Sequence, residues 1–284
     1  MNSKPLSTPR VWLITGCSRG MGLALASQVL ACGQKVIATA RDPSTLRKLA
    51  SLYPDTCRVL ALDVSNPAQV KSAVVEATAE FGRLDVVVNN AGYGLVGAFE
   101  EFSEEQIHRI FAVNFFGALE VMRAVLPVLR EQKSGHIVNI SAAAAISNYA
   151  GLSIYGATKC ALEGVSESLA AELKPLGIEV TIVQPGPFRT GFIGHSLERA
   201  GYHLGDYDSS SGRFRHFLES MEGKQPGDPM KAATAIIAAV ESGKPPMRLI
   251  LGKYATEKAH KKITVSESEL AAWRSIGMPT DFNP

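Results

Sequence analysis

The stretch VWLITGCSRGMGLALASQVLA, residues 11–31, decides how the rest of the chain is read. It opens with a short apolar run, Val11 to Thr15, passes through glycines at 16, 20 and 22, and continues as an apolar helical segment from Leu23 to Ala31. Glycines at this spacing allow a tight turn and let another backbone approach closely, while the start of the helix offers free N–H groups to an anion. A strand, a glycine-rich turn and a helix in that order suit the nucleotide-binding corner of a doubly wound α/β sheet, and taken alone they suit any other glycine-rich turn as well.

Six further short apolar runs follow at intervals: Lys35 to Ala40, Arg58 to Leu62, Leu84 to Asn89, His136 to Ile140, Glu179 to Gln184 and Arg248 to Leu251. Helical stretches separate them, and this alternation predicts a parallel sheet with helices on both faces. Asp42 before Pro43 reads as a helix cap, and Ser103 with Gln106 as a capping box. No internal linker or low-complexity segment divides the 284 residues, so one Rossmann-like dinucleotide-binding catalytic domain is expected over 1–284, with residues 1–9 a flexible N-terminus. Residues 191–229 differ from the rest. They are rich in Gly, Ser and His, carry Phe192, Tyr202, Tyr207, Phe214 and Phe217, and show no clear strand or helix period. They are expected to be a lid inserted over the sheet.

A formal charge of +2 gives no footprint for nucleic acid, and no stretch approaches 18 uninterrupted apolar residues. Cys17, Cys32, Cys57 and Cys160 lack ligand spacing, and His195, His203 and His216 lack a helical or thiol partner; no metal site is expected. The expectation is a soluble cytoplasmic enzyme with no membrane or nucleic-acid partner.

Three motifs downstream match the glycine loop: Asn89-Asn90-Ala91-Gly92, Tyr155-x-x-x-Lys159 and Pro185-Gly186-x-x-x-Thr190. Over about residues 10–190 the chain resembles the short-chain dehydrogenase/reductase family. The resemblance implies a nicotinamide dinucleotide and hydride transfer between its C4 and a carbonyl or alcohol carbon. It also implies which residues hold that cofactor. Gly16, Ser18, Arg19, Gly20, Met21 and Gly22 would form the loop at the pyrophosphate, and Asp63 with Val64 would meet the adenine. Asn90, Ala91, Gly92, Tyr155, Lys159, Pro185, Gly186, Phe188 and Thr190 would also bind the cofactor. After the second strand, where a carboxylate would bond a ribose 2′-hydroxyl, the chain has Ala40 and Arg41, with Arg19 in the loop nearby; the charge favours NADP(H). Asp42 is the competing carboxylate, and an NAD-dependent dehydrogenase the corresponding alternative.

Tyr155 and Lys159 lie one helical turn apart on one face, where an ammonium is expected to lower the phenol toward a working range. By resemblance Tyr155 donates the proton during reduction, Lys159 also holds the nicotinamide ribose, and Asn114 holds a relay water. The family's carbonyl-polarising serine stands thirteen residues before the tyrosine. Here that place is Ala142, with Ser141 one residue early. Neighbouring strand residues face opposite sides, so Ser141 joins Asn114, Tyr155 and Lys159 as a catalytic candidate only if a bulge re-aims it. Without that hydroxyl, chemistry is expected to slow by about 10² to 10³.

Ala142, Asn148, Tyr149 and Phe192 are candidate substrate-lining residues, and the aromatic lid suits a medium to large, partly apolar ketone, aldehyde or alcohol. The sequence thus predicts an NADPH-dependent carbonyl reductase, impaired by Ala142; the alternative is an impaired NADP(H)-binding protein with a redox-sensing or interaction role. A homodimer or homotetramer is expected from the way relatives pair.

Overall fold

The computed structural model describes residues 9–282. The flexible terminus expected over 1–9 therefore lies, except for Pro9, outside the described residues. In chain order the elements are β1 (Val11–Ile14), α1 (Gly20–Ala31), β2 (Lys35–Ala40), α2 (Arg47–Leu52), β3 (Cys57–Ala61), α3 (Pro67–Phe81), β4 (Val86–Asn89) and β5 (Gly94–Val96). Then come α4 (Glu104–Phe111), α5 (Gly117–Gln132), β6 (Gly135–Ile140), α6 (Ala143–Ile146), α7 (Ser153–Leu173) and β7 (Ile178–Pro185). The last are α8 (Phe192–His195), β8 (Leu197–Arg199), α9 (Arg213–Ser220), α10 (Pro229–Glu241), β9 (Arg248–Leu251) and α11 (Lys253–Gly277).

Seven strands form one sheet in the order β3-β2-β1-β4-β6-β7-β9, every neighbouring pair parallel. All seven predicted runs are its strands, with ends shifted by at most two residues. Because both faces of such a sheet are covered, its strands are apolar on both sides. In β1, Trp12 and Ile14 enter the core under α1 and α10, while Val11 and Leu13 enter the core under α3, α5 and α7. Strand order reverses between β1 and β4, and the carboxyl ends of the strands at such a switch point are where sheets of this kind take a ligand.

The predicted caps hold. Asp42 Oδ1 accepts from Ser44 N at 2.9 Å, and Ser103 and Gln106 exchange bonds between side chain and backbone. Glu104–Gln132 runs as one continuous helical stretch, long and apolar enough by length and composition to cross a bilayer. In the fold its inward face, including Ile110, Val121, Val125 and Leu129, is core.

Residues 191–229 are more ordered than their composition predicts. They hold α8, β8 and α9, and β8 pairs in parallel with β5. The period is illegible because these elements are short and their partners lie about a hundred residues earlier in the chain. The segment is bound to the sheet's rim through Gly94, where a Cβ would sit 2.6 Å from the Phe192 ring.

Candidate active site

The glycine loop is closed by contact with the turn after β4. A Cβ on Gly16 would stand 2.8 Å from Ala91 Cα, and one on Gly22 would stand 2.4 Å from Asn90 Nδ2 and 2.5 Å from the Gly16 oxygen. Gly20 has φ +61° and lies against Thr190. Thr15 fixes the approach from below, its Oγ1 accepting from the N–H groups of Asn90 and Ala91 at 3.0 Å each. Asn90 Nδ2 donates back to the Thr15 and Gly16 oxygens at 2.8 and 3.0 Å. Helix α1 begins after Arg19 with no side-chain cap and no acidic residue in its first turn. Its first N–H groups are thus left for an anion, and the bare cradle fits a pyrophosphate.

Arg19 and Arg41 are exposed, and neither has a hydrogen-bonded or ionic partner among the described residues. Asp42 Oδ1 is engaged as the cap of the turn that follows β2. Asp63 Oδ1 accepts from Ser65 N and Oγ, and Val64 is buried against Gly117. Ser18 is half-buried, and Met21 packs on the core beneath the loop. Gly186 N donates to the Leu251 oxygen at 3.0 Å, fixing the end of β7 at Pro185. The Phe188 ring lies over Gly227 and Gly252 and packs against the core.

Tyr155 and Lys159 come from the first two turns of α7. Lys159 is buried and its Nζ donates to the Ile140 oxygen at 2.9 Å. A Cβ on Gly92 would lie 3.0 Å from Asn114 Oδ1 and 3.5 Å from Lys159 Nζ, so these groups meet around one point beside the crevice. Asn114 sits in a π-turn, Ala112–Phe116, between α4 and α5. Its Oδ1 accepts from Tyr93 N at 3.0 Å, and its Nδ2 donates to the Tyr93 oxygen at 2.8 Å and to Thr158 Oγ1 at 3.3 Å. The amide therefore fastens three elements at the site.

The expected lowering of the phenol is not what the structure gives. Burial raises the pKa of Tyr155, and it brings Lys159 down to about 8 against the opposing pull of Glu163. Desolvation disfavours the charged form of each group. Tyr155 is thereby held as a neutral phenol, the form that donates a proton.

Ser141 is not placed with Tyr155. The strand ladder continues past Ile140 without a bulge, Ser141 N donating to the Val183 oxygen at 2.8 Å. Its side chain turns to α7, where Oγ donates to Glu163 Oε1 at 2.5 Å. Gln184 Nε2 donates to both oxygens of the same carboxylate at 2.9 Å. Eight residues separate Glu163 from Tyr155, about 12 Å along the helix, so this hydroxyl is committed elsewhere. The opposite side belongs to Ala142, extended at φ −161° and ψ 159° and buried.

The substrate side is aromatic. The rings of Tyr155 and Phe192 are 5.9 Å apart, and Tyr149 stacks on Phe214 at 5.0 Å. Tyr149 and Tyr254 share a hydroxyl hydrogen bond of 2.9 Å, and Lys258 Nζ lies 3.5 Å from the Tyr149 ring centre. Burial first, and then Tyr254 and Tyr155, raise the Tyr149 phenol. Asn148 packs against Gly156 and donates to the Leu152 oxygen at 3.2 Å, holding the turn into α7 instead of lining the crevice. Sequence reading missed Glu163, Gln184, Tyr254 and Lys258. Glu163 was within reach, since it repeats the Tyr155/Lys159 spacing one turn on; nothing signals that Tyr254 meets Tyr149.

At the other edge of the sheet, where the strands begin, a hollow of about 370 Å³ is lined by Arg10, Arg83, Asp85, His136 and Glu179 among others. It shares no residue with the crevice, and its Arg83 and Asp85 form an ion pair. It does not compete with the crevice as the catalytic site.

A family profile described as short chain dehydrogenase matches residues 10–200. The oxidoreductase BOA17 of Botryotinia fuckeliana is 37% identical over 270 residues, covering 95% of this chain and 98% of that protein. A 3-ketodihydrosphingosine reductase of Bacteroides thetaiotaomicron is also 37% identical, over 246 residues, covering 86% and 88%. The crystal structure of a short-chain dehydrogenase from Streptomyces avermitilis superposes with a TM-score of 0.91 at 40% identity, covering 97% of this chain and all of that one.

Proposed function

The chain belongs to the short-chain dehydrogenase family, and from that premise we propose that it is an NADPH-dependent reductase of a medium to large, partly apolar ketone or aldehyde, slowed by the alanine at position 142. The observation that carries the reading is the pairing of half-buried Tyr155 with buried Lys159 beside the glycine cradle and the Phe192 ring. When bound, a reduced nicotinamide supplies the hydride. Tyr155 Oη gives its proton to the carbonyl oxygen as the hydride reaches the carbonyl carbon, and Lys159 favours the phenolate that this leaves. Run backward, the same residues oxidise an alcohol.

The NADP(H) preference rests on Arg19 and Arg41, two exposed guanidiniums without a partner among the described residues, and on the engagement of Asp42 in its cap. The apolar substrate class rests on Phe192, Tyr149 and Phe214, and it agrees with a relative named for reducing a 3-ketosphingoid base. Ala142 also favours a second reading, in which the chain binds NADP(H) and serves as a redox-sensing or interaction protein. Oxidation of NADPH with a panel of long-chain ketones, aldehydes and quinones tests the first reading. Turnover that is raised by Ala142→Ser supports it; tight NADPH binding with no turnover in either form supports the second.

A further inference from the structure

One buried charge takes no part in the proton transfer. Glu163 lies in α7 one turn beyond Lys159, and both side chains are buried. Two consecutive residues at the end of β6 hold them. The Ile140 oxygen accepts from Lys159 Nζ at 2.9 Å, and Ser141 Oγ donates to Glu163 Oε1 at 2.5 Å. Gln184 Nε2, from β7, donates to both Glu163 oxygens at 2.9 Å. The heads of this i, i+4 pair are thereby fixed against neighbouring points of one strand, with Lys159 Nζ 6.0 Å from the centre of the Tyr155 ring.

A buried carboxylate is costly, and a neutral side chain could tie β6, β7 and α7 together with less desolvation. Both strand partners of Glu163 are neutral donors, so its charge is not cancelled where it is held. Two cations lie near it. Arg248 of β9 has its Nε 3.9 Å from Oε2, but it is exposed and its Nη2 pairs with Glu167. Lys159 is buried, and its hydrogen-bond partner is a neutral carbonyl. A full charge one helical turn away acts strongly in such an interior, where water and salt screen little. The other ionisable groups beside the pair on α7 are Tyr155 and Cys160, and burial holds each toward its neutral form.

We propose that Glu163 is a positioning residue of the reduction: its charge keeps Lys159 an ammonium where burial favours the free amine, and through Lys159 it supports the phenolate that Tyr155 leaves. The inference rests on the reductase reading. No proton passes through Glu163, since that of Tyr155 goes directly to the carbonyl oxygen.

Two readouts test it. One is the pH profile of NADPH-dependent ketone reduction, measured in the Ala142→Ser background if wild-type turnover is slow. The other needs no turnover: NMR titration of the full chain labelled with [ε-13C]lysine, with Lys159→Met identifying the resonance. The wild type should lose kcat above about pH 8, where Lys159 gives up its proton. Glu163→Gln, or Glu163→Met if the amide does not fold, should move that limb and the resonance down together by about one pH unit. The loss of kcat is then about fivefold at pH 8 and shrinks toward pH 6. Glu163→Asp keeps the charge, and Ser141→Ala loosens the tie while keeping it; both should leave limb and resonance within about 0.3 unit. Turnover with limb and resonance unmoved in the neutral variants, or moved as far by Ser141→Ala, overturns the proposal alone. A resonance that moves as expected, with no ketone turned over by any form, overturns the reductase reading instead.

Discussion

The two sides of the crevice are built from different materials. On the side of β1 and β4, the backbone makes the site: Thr15, Gly16, Asn90 and Ala91 lock through hydrogen bonds of 2.8–3.0 Å, and the approach leaves no room for a Cβ at Gly16 or Gly22. On the side of β6 and β7, side chains make it. Tyr149 reaches Phe214 and Tyr254, Tyr155 reaches Phe192, and Ser141 reaches Glu163. A backbone site depends on a few residue types at fixed spacing and can host a common cofactor in many proteins. A side-chain site depends on which surfaces meet, and there a single side chain can change while the backbone keeps its course.

That contrast can be broken from the chemical side first. Tyr155→Phe should lower kcat by about 10² to 10⁴ while leaving NADPH affinity within a few-fold, because the phenol donates a proton and the cradle does the binding. Stopped-flow turnover together with fluorescence titration measures both, and an equal loss in the two would break the division. From the backbone side, Gly22→Ala forces a methyl against Asn90 and the Gly16 carbonyl. An overpacking cost of about 1–3 kcal/mol predicts a fall in NADPH affinity or a lower Tm equivalent to roughly 5–150-fold. Calorimetry that finds neither would show that the loop gives way easily.

A smaller effect sharpens the cofactor assignment. Arg41→Ala should raise KM for NADPH about tenfold and change that for NADH less than twofold, since only the 2′-phosphate offers the guanidinium a charged partner. Equal changes would return the choice to NAD(H). The smallest effect is on stability. Lys159 titrates near 8 when folded, below its ordinary 10.5, so between these values the unfolded chain binds more protons. Stability should therefore rise as pH increases from 8 toward 10, before ionisation of unfolded tyrosine opposes it, the folded Tyr155 being shifted upward. Denaturant unfolding should show this rise in the wild type and lose it in Lys159→Met.

The same contrast explains what the sequence disclosed. The seven strands, the glycine turn and the Asp42 and Ser103 caps follow from local rules of period and backbone freedom, and they appear where expected. The register that separates Ser141 from Ala142 was also local, because strand alternation alone turns one away from the other. The phenol's upward shift was not legible, since it depends on how thoroughly α7 is covered. Phe188, given to the cofactor by the resemblance, and Asn148, a candidate substrate-lining residue, pack into the gaps that Gly227 and Gly156 provide. The elements within 191–229 and the Tyr149–Tyr254 contact arise from pairings across about a hundred residues, which no local period records.

The central claim is that the crevice lacks its polarising hydroxyl because Ala142 holds the place and Ser141 is bonded to Glu163. Its most direct test is kcat for NADPH-dependent ketone reduction in Ala142→Ser beside Ser141→Ala. The account predicts a rise of about 10² to 10³ for the first and a change of less than a few-fold for the second. An unchanged kcat in Ala142→Ser, with turnover abolished in Ser141→Ala, would contradict it.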